Sequence, residues 1–283
     1  MRVAILGFGL IGGSIARALA ERQPNGWSVA AWSRSADGPS RAVADGVIDS
    51  AAIDAGQAID GAELVVLAAP PLACLGLLDD LAGEQSSRLS PDAVITDVAS
   101  TKRRIVARAM ELGLRFVGGH PMTGRELTGY EASDAGLFVD RPWLLCGHPQ
   151  DAGRVESLAN AAGARPVWID PAVHDAAVAS VSHLPLLVSA ALAEAVARGA
   201  STWREHLELA AGGWQSMTRL AHGDPDMGAG ILATNADYVG DRLRILRTVI
   251  DEWIEALEAQ QIDTDALTGR LSAAKTALEG DAS

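Results

Sequence analysis

The chain has 283 residues, 48% of them hydrophobic, which is enough for one large or two ordinary domains with real cores. Its formal net charge of −13 sets up a field that repels phosphate backbones and anionic lipid heads, which argues against nucleic acid or a membrane surface as partner. An anionic substrate therefore needs local Arg or Lys. The two cysteines, Cys74 and Cys146, sit in apolar company with neither metal-like nor C-x-x-C spacing, so they read as buried thiols in a reducing compartment and point to no metal. No uninterrupted apolar run reaches the roughly 18 residues of a membrane span. The N-terminus opens on a strand and carries no signal-peptide cleavage site, so a cytoplasmic location is expected.

Short β-rich apolar runs recur at residues 3–6, 29–32, 64–68, 94–96, 116–117, 143–146 and 167–169, with helical patterns between several of them, such as 11–20 and 104–112. Apolar strands separated by helices predict a parallel sheet covered on both faces, and right-handed crossovers make it a doubly wound α/β domain over residues 1–171. From about Ala172 the strand signals stop. Residues 182–198 are apolar nearly all round, which predicts a buried helix with Pro185 near its start, where a missing N–H costs little. Residues 239–257 place Leu243, Leu246, Ile250, Trp253 (or Ile254) and Leu257 at helical spacing. Residues 172–283 thus read as an all-helical domain. Its most apolar helix needs cover from elsewhere, so a homodimer through these helices is expected. The tail from Gly280 reads as frayed.

Gly7, Gly9 and Gly12 form G-x-G-x-x-G directly after an apolar strand and at the opening of an apolar helix. Gly7 allows the tight turn, Gly9 lets backbone approach a pyrophosphate and Gly12 lets helix pack on strand. The helix N-terminus then offers free N–H groups and a positive dipole end to the phosphates. A site for NAD places Asp or Glu about 20 residues after the last glycine; here the second strand ends in Ser33, Arg34 and Ser35 instead. A guanidinium fork and two hydroxyls suit a 2′-phosphate, so NADP is preferred, with NAD possible.

Three further segments carry chemistry. D-V-A-S-T-K (residues 97–102) follows a strand, at the carboxyl edge of the sheet where ligands bind in open α/β folds. F-V-G-G-H-P-M-T-G-R-E-L-T-G covers residues 116–129, and the helical half holds S-H-L-P (182–185) and G-G-W-Q-S-M-T-R (212–219). Singly, each is ambiguous: His120 suits a turn, His183 a satisfied core histidine, Arg219 a solvated charge. His148, His174, His206 and His222 read as structural or exposed.

Together, in this order and spacing, the glycine loop with L-I-G-G-S, D-V-A-S-T-K, G-G-H-P-M-T-G-x-E-x-x-G, S-H-L-P and G-G-W-x-x-x-T-R resemble the prephenate and arogenate dehydrogenases of tyrosine biosynthesis over about residues 1–250. The resemblance implies a Rossmann-type domain followed by a helical dimerisation domain, with a cyclohexadienyl dicarboxylate bound in the cleft between them. It implies His120 as the base that takes the carbon-4 hydroxyl proton, and Ser100 as its hydrogen-bonding partner or that of the hydroxyl. Arg219 then holds a substrate carboxylate, and His183, Thr123 and Gly124 line the substrate pocket. Leu10, Ile11, Ala69 and Pro70 join the cofactor set.

The chain departs from the family at two places. Leu186 stands where many prephenate-specific members have S-H-L-P-H, which tilts the reading toward arogenate, and Gln215-Ser216 replaces a Lys-Asp pair, so an ion-pair gate with Glu126 is not expected. Little chain follows the last motif, so no appended regulatory domain is expected. A β-hydroxyacid dehydrogenase would need a lysine in the helical half, and residues 172–257 contain none. A non-catalytic NADP-binding regulator, or a dehydrogenase of an amino-substituted prephenate, stays open as an alternative.

Overall fold

The computed structural model describes residues 1–22, 26–125, 127–199 and 208–279; Glu126, His206 and the tail from Gly280 lie outside them. Eight strands form one sheet: β1 (Arg2–Leu6), β2 (Ser28–Trp32), β3 (Ser50–Ala51), β4 (Leu64–Leu67), β5 (Val94–Asp97), β6 (Phe116–Pro121), β7 (Pro142–Gly147) and β8 (Arg165–Trp168). Their spatial order is β3-β2-β1-β4-β5-β6-β7-β8. The order reverses between β1 and β4, so the loops leaving these two strands part and open a crevice at the carboxyl edge.

The alternation of side chains explains why both sheet faces are apolar. Val3 and Ile5 of β1 join one buried cluster, with Ile15 and Leu19 of α1 (Leu10–Arg22) and Val155 and Leu158 of α6 (Ala152–Ala161). Ala4 and Leu6 join the other, with Ile59 of α3 (Ala55–Ile59), Cys74 and Leu78 of α4 (Pro71–Ala82) and Ile105 of α5 (Arg103–Glu111). A strand with no polar face can sit only between two layers, which is the doubly wound arrangement. α2 (Asp37–Ala44) completes the helices of this part.

Two features differ from the sequence expectation. The sheet is not wholly parallel, because β6 and β7 pair antiparallel. Their connection holds no α-helix, only a 3-10 turn at Tyr130–Ala132, so the chain doubles back instead of crossing over. The short edge strand β3 is exposed and had no apolar signal.

Beyond β8 the described chain is helical: α7 (Pro171–Val178), a π-helical turn (Ala179–His183), α8 (Leu184–Gly199), α9 (Gly212–Thr218), a 3-10 turn (Arg219–His222), α10 (Pro225–Thr234), α11 (Ala236–Glu258) and α12 (Thr264–Glu279). Met1–Val239 forms one compact unit and Gly240–Ser283 a second. In the second, the Arg270 guanidinium lies 4.2 Å over the Trp253 ring and bonds the Glu252 carboxylate at 3.0 Å.

Pro185 is the second residue of α8, near its start as the sequence suggests, but α8 runs on without a break from the helical turns before it. The continuous helical stretch begins at Pro171, and Pro185 is interior to it. In a regular α-helix its ring would clash with the carbonyl four residues back, and that residue lies in the wider π-helical turn. Nor is α8 buried by the described residues: within 182–198, all but His183 and Ser189 stay half-buried or exposed. Pro171–Arg198, in which an 18-residue window reaches a mean hydropathy of 1.7, is long and apolar enough to span a membrane by length and composition, against the expectation drawn from uninterrupted runs. Polar residues His174, Asp175 and His183 interrupt this helix, and all three are buried in protein contacts.

Candidate active site

The chain turns from β1 into α1 within three residues. Gly7 has φ +97°, and a Cβ there would lie 2.3 Å from the Ala68 carbonyl oxygen; a Cβ on Gly12 would lie 2.4 Å from the Gly7 carbonyl oxygen. Both positions thus exclude any side chain. At Gly9 an added Cβ meets nothing within 4 Å, so the backbone there faces open space at the N-terminus of α1. Such a turn, with free N–H groups behind it, fits a pyrophosphate. Leu10 is buried and Ile11 half-buried in the first turn of α1. Gly7 N–H donates to the Trp32 carbonyl at 2.8 Å, which brings the end of β2, and hence Ser33, Arg34 and Ser35, beside the turn. Arg34 and Ser35 are exposed and Ser33 half-buried. Ala69 and Pro70 follow β4 next to the Ala68 contact, with Pro70 preceding α4.

The loop after β5 is built on a buried ion pair. Asp97 and Lys102 are both fully buried and bonded to each other. Asp97 also accepts from Ala99 N–H and from Gly119 N–H, each at 3.0 Å. Burial pushes its carboxyl up, while Lys102 and these N–H groups pull the other way. The carboxylate pins the end of β5 to β6 one residue before His120. Gly119 must be glycine for this: its Cβ would lie 2.5 Å from the Asp97 carbonyl oxygen.

His120 is the next-to-last residue of β6 and is half-buried. Its Nδ1 lies 2.9 Å from Nε2 of His174, and His174 Nδ1 lies 2.8 Å from Oδ1 of Asp175. The Asp175 carboxylate accepts from the N–H groups of Lys102 at 2.8 Å and Arg103 at 2.9 Å, capping α5. Burial pushes the Asp175 carboxyl up, but the His174 ring and the two N–H groups outweigh it and hold the group below its ordinary value. His120 is held well below 6.5, first by desolvation, then by His174, Lys102 and His183. It is therefore a neutral imidazole at neutral pH.

His183 lies in the π-helical turn, 1% exposed. Its Nδ1 is 3.1 Å from the Asn235 amide nitrogen, which also donates to the Asp175 backbone carbonyl at 2.8 Å. His183 Nε2 and Asn235 Oδ1 are buried with no hydrogen-bond partner among the described residues. Burial pushes His183 down to about 4. The loop after β5 is stapled to the same helical residues: Thr101 and Thr234 hydroxyls meet at 2.8 Å, and Arg103 pairs with Asp237 and stacks 4.6 Å from the Tyr238 ring centroid.

Of the sequence-read residues, His120, the Ser100 backbone and His183 come together here. Ser100 is half-buried, and its backbone acts on His183. Thr123 N–H donates to the Pro121 carbonyl at 2.8 Å, directly beyond His120, and Gly124 is exposed. Arg219 is exposed at the start of the 3-10 turn, and Ala221 in that turn donates its N–H to Ser189 of α8 at 3.0 Å.

Comparison with known proteins decides the family. The nucleotide-binding domain of prephenate dehydrogenase matches residues 15–165 and its dimerization domain matches residues 170–272. A prephenate dehydrogenase of Bacillus subtilis is 32% identical, covering 98% of this chain and 75% of its own length. The chain belongs to the prephenate dehydrogenase family. Among solved structures, a Synechocystis arogenate dehydrogenase is 30% identical with a TM-score of 0.77, covering 99% of both chains. A prephenate dehydrogenase from A. aeolicus, in complex with hydroxyphenyl propionate and NAD+, is 26% identical with a TM-score of 0.86, covering 99% of this chain and 98% of that one.

Within this family frame, sequence reasoning missed His174, Asp175 and Asn235. The sequence reads His174 as structural or exposed; in the structure it is fully buried against His120. A signal was present: an adjacent His-Asp in the first turns of a helix opened by Asp170-Pro171 faces back toward the sheet edge. His148 and His222 are exposed.

Proposed function

We propose that this chain catalyses the oxidative decarboxylation of arogenate, with prephenate the alternative substrate, and that it prefers NADP to NAD. The observation that carries the reading is a low-pKa imidazole, His120, held at the carboxyl edge of the sheet by His174 and Asp175. The substrate is a cyclohexadiene with a carboxylate on carbon 1 and a hydroxyl on carbon 4, and the bound dinucleotide supplies a hydride acceptor. The glycine turn with Leu10, Ile11, Ala69 and Pro70 would hold that dinucleotide, and Ser33, Arg34 and Ser35 its 2′-phosphate. His120 Nε2 takes the hydroxyl proton as carbon 4 becomes a carbonyl. Carbon dioxide then leaves carbon 1, its bonding pair enters the ring, and the phenolate oxygen recovers the proton. Aromatisation drives the last step, so the protein chiefly positions and polarises.

Arg219 holds a substrate carboxylate against the unfavourable net charge, with a planar fork suited to it. Ser100, Thr123, Gly124 and His183 line the pocket. Leu186, in place of a further histidine, supports arogenate, since one fewer possible cation lies near its ammonium group. Activity on an amino-substituted prephenate is the second reading. We assign residues 1–171 to dinucleotide binding and 172–283 to substrate binding and homodimerisation, in a cytoplasmic protein with two buried free cysteines. Exposed Leu243, Ile250, Ile254 and Leu257 support the dimer, which sedimentation at micromolar concentration should detect; a stable monomer there would reject it.

His120→Asn tests the mechanism. It should lower kcat by roughly 10²–10⁴ with little change in cofactor affinity. Undiminished turnover would remove His120 from the chemistry.

A further inference from the structure

Two imidazoles, His120 and His183, meet one residue, Asp175, by two different routes. Its side chain faces His174, and its backbone carbonyl faces Asn235. The hydrogen positions along both routes follow from the partners. The Asp175 carboxylate can only accept, so His174 Nδ1 carries the hydrogen and His174 Nε2 is left as an acceptor. His120 Nδ1 must then donate to it, and the lone pair of His120 falls on Nε2. On the other route the Asp175 carbonyl can only accept, so the group facing it is the Asn235 amide nitrogen and not its oxygen. The second hydrogen of that nitrogen points at His183 Nδ1, which must accept. His183 therefore carries its hydrogen on Nε2, the buried atom that has no hydrogen-bond partner among the described residues. The Ser100 backbone raises the pKa of the same ring, as an acceptor near its N–H does.

We propose that Asp175 is the positioning residue that gives the two site histidines opposite polarity, His120 with a bare Nε2 and His183 with an Nε2–H. The inference rests on the proposed dehydrogenase reading. It deepens that reading by naming what each ring can do: His120 accepts a proton, while His183 donates a hydrogen bond to an oxygen of the substrate, such as a carboxylate or hydroxyl oxygen. His120 cannot exchange roles without breaking its bond to His174 or the bond of His174 to Asp175, nor can His183 without breaking its bond to Asn235. His174 and Asn235 carry the two routes, and Asp175 also caps α5, which ties the polarity of the site to the junction between β5 and the helical residues.

The test is nitrogen NMR of the full-length protein with ¹⁵N-labelled histidine rings, assigned with single His variants. In the resting protein, His120 should be protonated on Nδ1 only and His183 on Nε2 only. Asn235→Asp, nearly the same shape but without a donor, should move the His183 hydrogen to Nδ1 and leave His120 as it was. His174→Gln keeps one donor and one acceptor and should hold kcat within about threefold, while His174→Leu should lower kcat by about 10- to 100-fold with KM nearly unchanged. Opposite tautomers in the wild-type protein would overturn the inference whatever the turnover, and so would a His174→Leu variant with wild-type His120 tautomer and kcat. Correct tautomers in a protein that turns over neither arogenate nor prephenate would leave this inference intact and sink the functional reading instead.

Discussion

In β1, Val3 and Ile5 face one layer of helices and Ala4 and Leu6 the other, and all four are inaccessible to solvent. In α11, Leu243, Ile250, Ile254 and Leu257 recur at helical spacing, yet they stay 40–56% exposed. Both patterns answer to the same apolar driving force, but among the described residues the strand finds its cover and the helix does not. The sheet edge is therefore a finished scaffold, pinned by the Asp97–Lys102 pair and by glycines that admit no side chain. The helical residues supply polar groups to that edge, while Leu243, Ile250, Ile254 and Leu257 stay exposed among the described residues.

This difference implies a division of labour that substitutions can break. Arg219, on the helical side, should govern the substrate alone. Arg219→Ala should raise KM for the substrate by about 10- to 100-fold, the worth of roughly 1.5–3 kcal/mol in hydrogen bonds to a charged group. The dissociation constant of the dinucleotide should not move. If KM held steady, Arg219 would leave the site. Gly7, on the sheet side, should govern the cofactor. An added methyl meets the Ala68 carbonyl in a backbone conformation that disfavours L side chains, so Gly7→Ala should weaken dinucleotide binding by about tenfold or more, from about 1–3 kcal/mol of strain. Titration calorimetry reads this directly. Unaltered affinity would mean that the turn does not carry the dinucleotide.

Much of this was legible because it depends on local chemistry. The glycine turn announces itself by spacing after an apolar strand, and the structure gives Gly7 and Gly12 steric reasons to lack side chains. The apolar strands likewise reveal a sheet buried on both faces. The reversal at β7 was not legible, since a polar, glycine-rich connection does not say which way the chain returns. Nor was the start of the long helix, because Pro185 reads as a helix opening unless a widened turn is known to precede it. His174 and Asn235 were invisible for a different reason. Their importance lies in whom they face across distances of 54 and 52–60 residues, and no spacing rule encodes that.

The most direct measurement is NADPH or NADH formation at 340 nm with arogenate and prephenate, each crossed with NADP and NAD. The account predicts turnover of at least one of these substrates, highest for arogenate with NADP, and abolished together with the bare Nε2 of His120. No absorbance change with any of the four pairs would contradict it, and leave a chain that binds a dinucleotide without this chemistry.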